Sequence, residues 1–217
     1  MKEEVVDLVS IQVGSLRPVI VAGRDRVTGI FKEPVAFAVV GEFGLEGDAI
    51  SDSKNHGGRD QAVYLYSEED YNWWEAQLGE RPVPGQFGDN LTLSSFGDRE
   101  PMVGDRWQIG DVLLEVTAPR IPCSTFGAAM NDADFPKQFR RARRPGFYAR
   151  VLQAGRLESG VTATKLPSGW DASINEMFDL AYETDAAAET WERFLVAPIA
   201  ERARVDYERR LARSRAL

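Results

Sequence analysis

The sequence contains one cysteine and one histidine among its 217 residues. A single cysteine cannot form an internal disulfide, so nothing in the sequence points to an oxidising compartment. The two counts also exclude a metal site that a single chain builds from several thiolates or several imidazoles. Any bound metal must therefore receive other ligands as well.

Long hydrophobic runs and an excess of basic residues are absent too. No apolar run reaches the roughly 20 residues of a membrane-spanning helix, and the first seven residues carry acids where a signal peptide carries a basic region. The formal net charge of −8 opposes general nucleic-acid binding, which requires many lysines and arginines against the phosphates. We expect a cytoplasmic protein that binds neither membranes nor nucleic acid.

The first 153 residues have the pattern of a β-protein. Hydrophobic residues make up 43% and charged residues 28% of the chain, which is typical of a folded globular protein. Short β-branched and aromatic runs end at Gly, Pro, Asp or Asn, as strands do at turns, and Gly110-Asp111 predicts a hairpin. Many short strands without regular intervening helices favour a closed or nearly closed antiparallel β-barrel. The predicted strands cover residues 5–13, 35–43, 62–66, 90–93, 106–109, 112–118 and 148–153.

A few helices complete the predicted fold, which is mainly β (α+β). Ser67 and Asp70 form a capping-box-like start for one helix, and Gly79 ends it. A weaker helix is expected over residues 134–141. Beyond residue 166 the composition shifts to Ala, Glu, Arg and Leu, and amphipathic periodicity predicts helices over 173–181, 186–196 and 199–211. We therefore expect a β-barrel domain over residues 1–166 and a three-helix extension over 167–217.

The segment Lys54-Asn55-His56-Gly57-Gly58-Arg59-Asp60 combines a cation, the single imidazole and two glycines before an apolar strand. Paired glycines let backbone N–H groups approach an anion closely, so the segment could hold a phosphate. A glycine turn that leads into a strand is the plainer interpretation, and the residues alone favour it.

The single cysteine follows a predicted strand in Ala118-Pro119-Arg120-Ile121-Pro122-Cys123. Two prolines stiffen this segment and fix the direction of the thiol, and Arg120 could favour the thiolate. A thiolate is both a nucleophile and a soft ligand for a transition metal. A lone cysteine is most often a small buried hydrophobe, and that interpretation is at least as strong on the residues alone.

Two further stretches carry candidate binding groups. Five arginines between Arg140 and Arg150 form a basic cluster that leads into a strand, and clustered guanidiniums can bind phosphate or carboxylate in a bidentate manner. They could equally form a solvated helix face. The triplet Gly88-Asp89-Asn90 is weaker evidence, because most such triplets are only turns.

Taken in order, these pieces resemble the MOSC family across nearly the whole chain, and within it the YiiM-like branch. The specificity lies in the order and spacing of the motifs. The segments that carry the resemblance are Gly29-Ile30-Phe31-Lys32-Glu33-Pro34-Val35, Lys54-Asn55-His56-Gly57-Gly58-Arg59-Asp60, Phe87-Gly88-Asp89-Asn90-Leu91, Val103-Gly104-Asp105-Arg106, Ile109-Gly110, Pro119-Arg120-Ile121-Pro122-Cys123 and Arg144-Pro145-Gly146-Phe147-Tyr148.

The resemblance implies a molybdenum-pterin cofactor (Mo-pterin) and the reduction of N-hydroxylated compounds, such as hydroxylaminopurines, to amines. Cys123 would be the metal ligand, and His56 would deliver a proton or a hydrogen bond, oriented by Asp60. An external reductase or ferredoxin-like protein would supply electrons. The residues expected to bind the cofactor are Lys32, Lys54, His56, Gly57, Gly58, Arg59, Asn90, Arg120, Arg143 and Arg144.

Three rival interpretations remain open from the sequence. Cys123 could carry a persulfide in sulfur transfer, or the chain could bind the cofactor without turnover. The third rival is a barrel whose cysteine is structural, which full burial against apolar side chains with no adjacent cavity would favour. The helical extension could dock on the barrel, form a homodimer contact or receive the electron donor, and we favour a structural or dimer role.

Overall fold

The computed structural model describes residues 3–51 and 57–215, and its centre is a closed β-barrel of seven strands. Around the barrel the order is β1, β13, β9, β10, β11, β7 and β8, and β8 pairs back onto β1. The predicted barrel is therefore confirmed. Its strands are β1 (Glu4–Gly14), β7 (Val63–Ser67), β8 (Leu91–Leu93), β9 (Arg106–Ile109), β10 (Val112–Ala118), β11 (Phe147–Gln153) and β13 (Thr162–Leu166).

Six of the seven barrel pairings are antiparallel, as expected, but β7 and β8 run parallel with Leu65 opposite Leu91. A parallel pair needs a crossover connection, which helix α1 (Glu68–Leu78) provides together with the loop that follows it. The predicted ends of α1 are confirmed. The Ser67 side chain accepts a hydrogen bond from the Asp70 amide, and Gly79 ends the helix in the left-handed conformation.

Strands outside the barrel form two smaller sheets and one edge. The hairpin of β2 (Arg17–Val21) and β3 (Arg24–Thr28) stands alone, while β4 (Lys32–Val35) pairs with the end of β1. β5 (Phe37–Gly41), β6 (Gly44–Leu45) and β12 (Gly155–Glu158) form a three-stranded sheet. The strand predicted over residues 35–43 is thus divided between two sheets, because the chain changes partners after Val35.

Two short helices follow the cysteine segment and pack with α1. They are α2 (Ser124–Ala129) and α3 (Phe135–Ala142), which lies within one residue of the predicted helix. A cluster of buried aromatic side chains fills the space between these helices and the barrel wall. Its members include Tyr66, Tyr71, Trp74, Phe87, Phe126, Phe135 and Phe139.

Three helices follow β13, and they match the predicted ones within three residues at each end. They are α4 (Ile174–Leu180), α5 (Ala188–Val196) and α6 (Glu201–Ser214). Trp191 of α5 packs on Tyr207 of α6 with ring centroids 4.9 Å apart, and both belong to the same apolar cluster as barrel residues such as Trp107. None of the helices in the described parts of the chain has the length and apolar character needed to cross a bilayer.

Candidate functional site

A large cleft in the described part of the structure has a volume of about 1110 Å³. It lies where the β2–β3 hairpin, the segment after β10 and the loops before β7 and β8 come together. Five of the residues predicted to act at a cofactor site line this cleft, which therefore unites motifs far apart in the sequence. They are Lys32, Gly57, Asn90, Arg120 and Cys123.

Cys123 stands at the start of α2, directly after the Pro119–Pro122 segment that leaves β10. Its backbone is extended, with φ −128° and ψ 173°, and its carbonyl accepts hydrogen bonds from the amides of Phe126 and Gly127 at 3.1 and 3.3 Å. These bonds hold Cys123 at the N-terminal end of α2. The side chain is half-buried and lines the cleft, which argues against an inert cysteine packed in the core.

Arg120 is a buried cation that also opens into the cleft. Its guanidinium carbon lies 3.9 Å from the centre of the Phe126 ring, and its Nη1 has no hydrogen-bond partner among the described residues. Burial lowers the pKa of Arg120, but the neighbouring Tyr64, Tyr148 and Cys123 outweigh burial and hold this pKa above its ordinary value. A charged donor with an unused N–H is therefore available to an anionic group in the cleft.

Lys32, Asp48 and Asn90 form a buried network in the floor of the cleft. The Lys32 ammonium donates to both Asp48 oxygens at 2.5 and 2.6 Å, and the Asn90 amide donates to Asp48 Oδ2 at 2.9 Å. Asp48 also accepts a hydrogen bond from the Gly14 amide at 2.7 Å. Burial lowers the pKa of Lys32, and the carboxylate of Asp48 opposes this effect. Lys32 thus faces the cleft as one half of a fixed ion pair.

Asp89 holds the loop that carries Asn90. It is fully buried and accepts hydrogen bonds from the Tyr71 hydroxyl at 2.6 Å, the Thr92 hydroxyl at 2.8 Å and the Gly85 amide at 3.1 Å. Burial raises the pKa of Asp89, and these donors limit the rise. The acid of the predicted Gly-Asp-Asn step is therefore a support inside the protein, and the asparagine is the residue that reaches the cleft.

Tyr64 and Tyr148 line the cleft beside Arg120. Neither was among the predicted site residues, although Tyr148 ends one of the segments that carry the family resemblance. Their ring centroids are 5.1 Å apart. Burial raises the pKa of both phenols, although the Arg120 charge opposes this. Both hydroxyls therefore stay protonated at neutral pH. The Tyr64 hydroxyl donates to the Pro145 carbonyl at 2.8 Å, while Tyr148 is hydrogen-bonded to Arg120.

The glycine segment is only partly within the described residues, since Lys54 and His56 lie outside them. Gly57 lines the cleft and Gly58 follows it, with φ angles of +76° and +82° that favour glycine. A Cβ atom at Gly57 would lie 2.7 Å from Ile50 Cδ1. Glycine at position 57 therefore lets the backbone pass close to the wall of the cleft.

Asp60 joins the barrel to the helical tail and does not line the cleft. Its Oδ1 lies 2.9 Å from Arg150 Nη2, and its Oδ2 accepts the backbone amide of Glu201 at 2.7 Å. The Asp60 carbonyl also accepts from the Thr117 hydroxyl at 2.5 Å. Orientation of His56 by Asp60 stays a prediction, while the contacts of Asp60 within the described residues are structural.

The other predicted arginines lie outside the cleft. Arg59 pairs with Glu42, Arg143 pairs with Asp179 at 2.5 Å, and Arg144 pairs with Asp70 at 2.5 Å. Their role in cofactor binding stays a prediction, but each already has a carboxylate partner in this structure.

The chain belongs to the MOSC domain family, whose family model matches residues 52–164. Domains of this family resemble the C-terminal domain of molybdenum-cofactor sulfurase. The family is generally associated with binding of the molybdenum cofactor. The matched range includes the glycine segment, the Gly-Asp-Asn step and the cysteine segment. It ends within β13, before the three C-terminal helices.

Within the family the chain is YiiM-like. The crystal structure of YiiM from Geobacillus stearothermophilus superposes with a TM-score of 0.77 at 29% identity, covering 95% of this chain and 99% of that one. Among curated sequences, the uncharacterized protein YflK of Bacillus subtilis is 31% identical over 170 residues, which are 78% of this chain and 77% of YflK. A Gibberella moniliformis protein named "Reductase" is 32% identical over 152 residues, which cover 66% of this chain and 26% of that longer protein.

Proposed function

We propose that this protein is a molybdenum-cofactor-dependent reductase that converts N-hydroxylated compounds, such as hydroxylaminopurines, to amines. The observation that carries the proposal is the meeting of the half-buried Cys123 thiol and the unsatisfied Arg120 guanidinium in one cleft. The name of the Gibberella relative supports the class of reaction. An external reductase or ferredoxin-like protein is the proposed electron donor.

The residues of the cleft fit a cofactor that brings metal, sulfur ligands and an anionic group. Cys123 offers the soft ligand that such a metal takes from protein. Within the described residues no group of three His, Cys, Asp or Glu side chains could hold a metal alone, so the remaining ligands would belong to the cofactor. Arg120 would bind its anionic part, and Asn90 and Gly57 would contact the pterin.

When bound, the molybdenum cofactor supplies the two electrons that cleave the N–O bond. The net reaction takes up two electrons and two protons, and it yields the amine and one water molecule. This chain must position the N-hydroxyl group and deliver the protons. The phenol of Tyr148 is neutral at physiological pH and lines the cleft, so it can donate a hydrogen bond to the substrate oxygen. His56 remains the proposed proton donor, because its ordinary pKa of about 6.5 suits that role.

The test is to measure molybdenum content and reduction of 6-hydroxylaminopurine for the wild type, Cys123→Ala and Cys123→Ser, each co-expressed with cofactor biosynthesis. The serine variant is the conservative substitution, because it keeps nearly the size of the side chain and replaces the soft sulfur with a hard oxygen; the wild type is the control. We expect both variants to lose bound molybdenum and activity by more than about 100-fold, which exceeds the loss caused by removing an outer-shell partner.

Each outcome separates the proposal from its rivals. Fully loaded wild type that does not reduce 6-hydroxylaminopurine would refute the reductase function and leave cofactor binding without turnover. A variant that keeps both metal and activity would show that Cys123 is not the ligand. Sulfur transfer would instead appear as a persulfide on Cys123 by mass spectrometry, formed without bound molybdenum.

A further inference from the structure

The walls of the cleft are positive although the chain is acidic overall. Among the described residues, four cationic side chains line the cleft against two carboxylates, whereas the whole chain has a net charge of −8. Lys32 and Asp48 neutralise each other at the floor. The remaining charges are the buried Arg120 and three residues of the β2–β3 hairpin, namely Arg24, Asp25 and Arg26. An electropositive cleft in an acidic protein selects for an anionic ligand.

The two hairpin arginines lie at the outer edge of the cleft. Side chains alternate between the two faces of a strand, so Arg24, Arg26 and the buried Thr28 share one face of β3. Asp25 is on the opposite face of the strand and also lines the cleft. At about 3.3 Å per residue, Arg24 lies roughly 13 Å further out along the strand than Thr28. The pair therefore stands at the rim, while Arg120 stands in the interior.

Arg24 and Arg26 differ from the arginines that the sequence motifs indicated. Their backbones pair with β2, but neither guanidinium forms an ion pair or a hydrogen bond with any residue that the structure describes, whereas Arg59, Arg143 and Arg144 each pair with a carboxylate. Arg17, on the same hairpin, is paired with Glu33 and does not line the cleft. Two guanidiniums without carboxylate partners on one strand face are suited to bidentate binding of a phosphate.

The cleft also has room for more than one ligand. Its volume of about 1110 Å³ exceeds the roughly 300–1000 Å³ usual for a site that holds a single small molecule. A substrate next to Cys123 can therefore extend outward along the hairpin without leaving the cleft.

We propose that Arg24 and Arg26 bind a phosphate group of the substrate, so that the preferred substrates are phosphorylated N-hydroxylated compounds such as nucleotides. This assignment rests on the proposed reductase function for the reacting group. It adds the class of substrate, which nothing in the cysteine or glycine motifs specifies.

The experiment compares the loaded wild type with Arg24→Gln/Arg26→Gln and with Arg17→Gln as the matched control on the same hairpin. The first measurement is calorimetric binding of adenosine 5′-monophosphate and of adenosine, neither of which is reduced. The second is the ratio of KM values for 6-hydroxylaminopurine riboside and its 5′-monophosphate. We expect the monophosphate to be favoured by about tenfold in the wild type, the order expected for two exposed charge-assisted contacts.

The preference should disappear in Arg24→Gln/Arg26→Gln, remain in Arg17→Gln, and weaken in the wild type with rising salt, because exposed charges are screened. Equal binding of nucleotide and nucleoside by the wild type would overturn this inference and leave the reductase function intact. Loss of molybdenum content in the double variant would also overturn it, since the phosphate bound would then belong to the cofactor. If neither 6-hydroxylaminopurine riboside nor its 5′-monophosphate is reduced, the proposed reductase function is refuted. The binding data for adenosine 5′-monophosphate and adenosine then still decide whether the hairpin binds phosphate.

Discussion

Replacing Asp48 with asparagine tests the buried network under the cleft. The side chains of Lys32 and Asp48 are only 8% and 6% exposed, so Asp48→Asn leaves an ammonium group in the interior without its counter-charge. It also puts an amide donor among the Gly14 and Asn90 donors. Breaking a buried ion pair by removing one partner costs about 3–5 kcal/mol. At about 2–4 °C per kcal/mol for a chain of this size, the melting temperature should fall by roughly 6–20 °C.

The pH dependence gives a second measure of the same effect. The folded-state pKa of Lys32 lies below its ordinary value of 10.5, so the unfolded state binds more protons between these two values and stability rises with pH across that window. Asp48→Asn removes the negative charge that opposes the lowering of the Lys32 pKa. The Lys32 pKa therefore falls further in the variant, and the pH range over which stability rises with pH extends to lower pH. The stability deficit of the variant should therefore shrink from pH 7 towards pH 10.

Urea denaturation of the cofactor-free protein at several pH values measures both effects. The double variant Lys32→Met/Asp48→Asn is the control, because it removes the stranded charge and should recover most of the lost stability. The reasoning would be refuted if Asp48→Asn lowered the free energy of unfolding by less than about 1 kcal/mol. It would also be refuted if the double variant were no more stable than Asp48→Asn.

Two further substitutions test the junction between the barrel and the helical tail and the packing beside the cleft. Asp60→Asn should destabilise the protein by about 1–2 kcal/mol in urea denaturation, because it removes the charge that pairs with Arg150 and with the first amide of α6. An unchanged midpoint would show that this junction contributes nothing. Gly29→Ala should cost more than about 2 kcal/mol, because its Cβ would lie 1.7 Å from the Ala49 carbonyl oxygen. Gly169→Ala, with open space around its Cβ, is the matched control, and equal effects of the two substitutions would contradict the packing argument.

The barrel and its helices could be predicted because their signals are local. The hairpin at Gly110-Asp111 is confirmed, with Ile109 opposite Val112, and the Ser67 cap and Gly79 end of α1 appear as expected. The hairpin of β2 and β3 was missed. Both strands are largely exposed and β3 carries charged residues in succession, so no apolar alternation identifies them. The parallel β7–β8 pair was also not foreseen, because strand direction depends on the crossover.

The candidate site was predictable only in part. Lys32, Asn90 and Cys123, for which the family resemblance implied cofactor-site roles, line the cleft, and those roles stay predictions. The decisive partner of Lys32, Asp48, lies 16 residues away in a loop with no motif of its own, and only the folded chain brings the two together. Arg143 pairs with Asp179 of α4, and Arg144 pairs with Asp70 of α1. The sequence could not show these pairs, because the partners are far apart along the chain.

Closure of the barrel has a consequence for how the chain folds. The seam joins the first strand to the last, with Glu4 opposite Lys165 and Asp7 opposite Thr162. Such pairing over more than 150 residues of sequence gives the fold a high contact order, which slows folding because much chain entropy is lost before the contact forms. During synthesis β1 must wait for β13 to leave the ribosome, and its free edge is exposed to other chains until then.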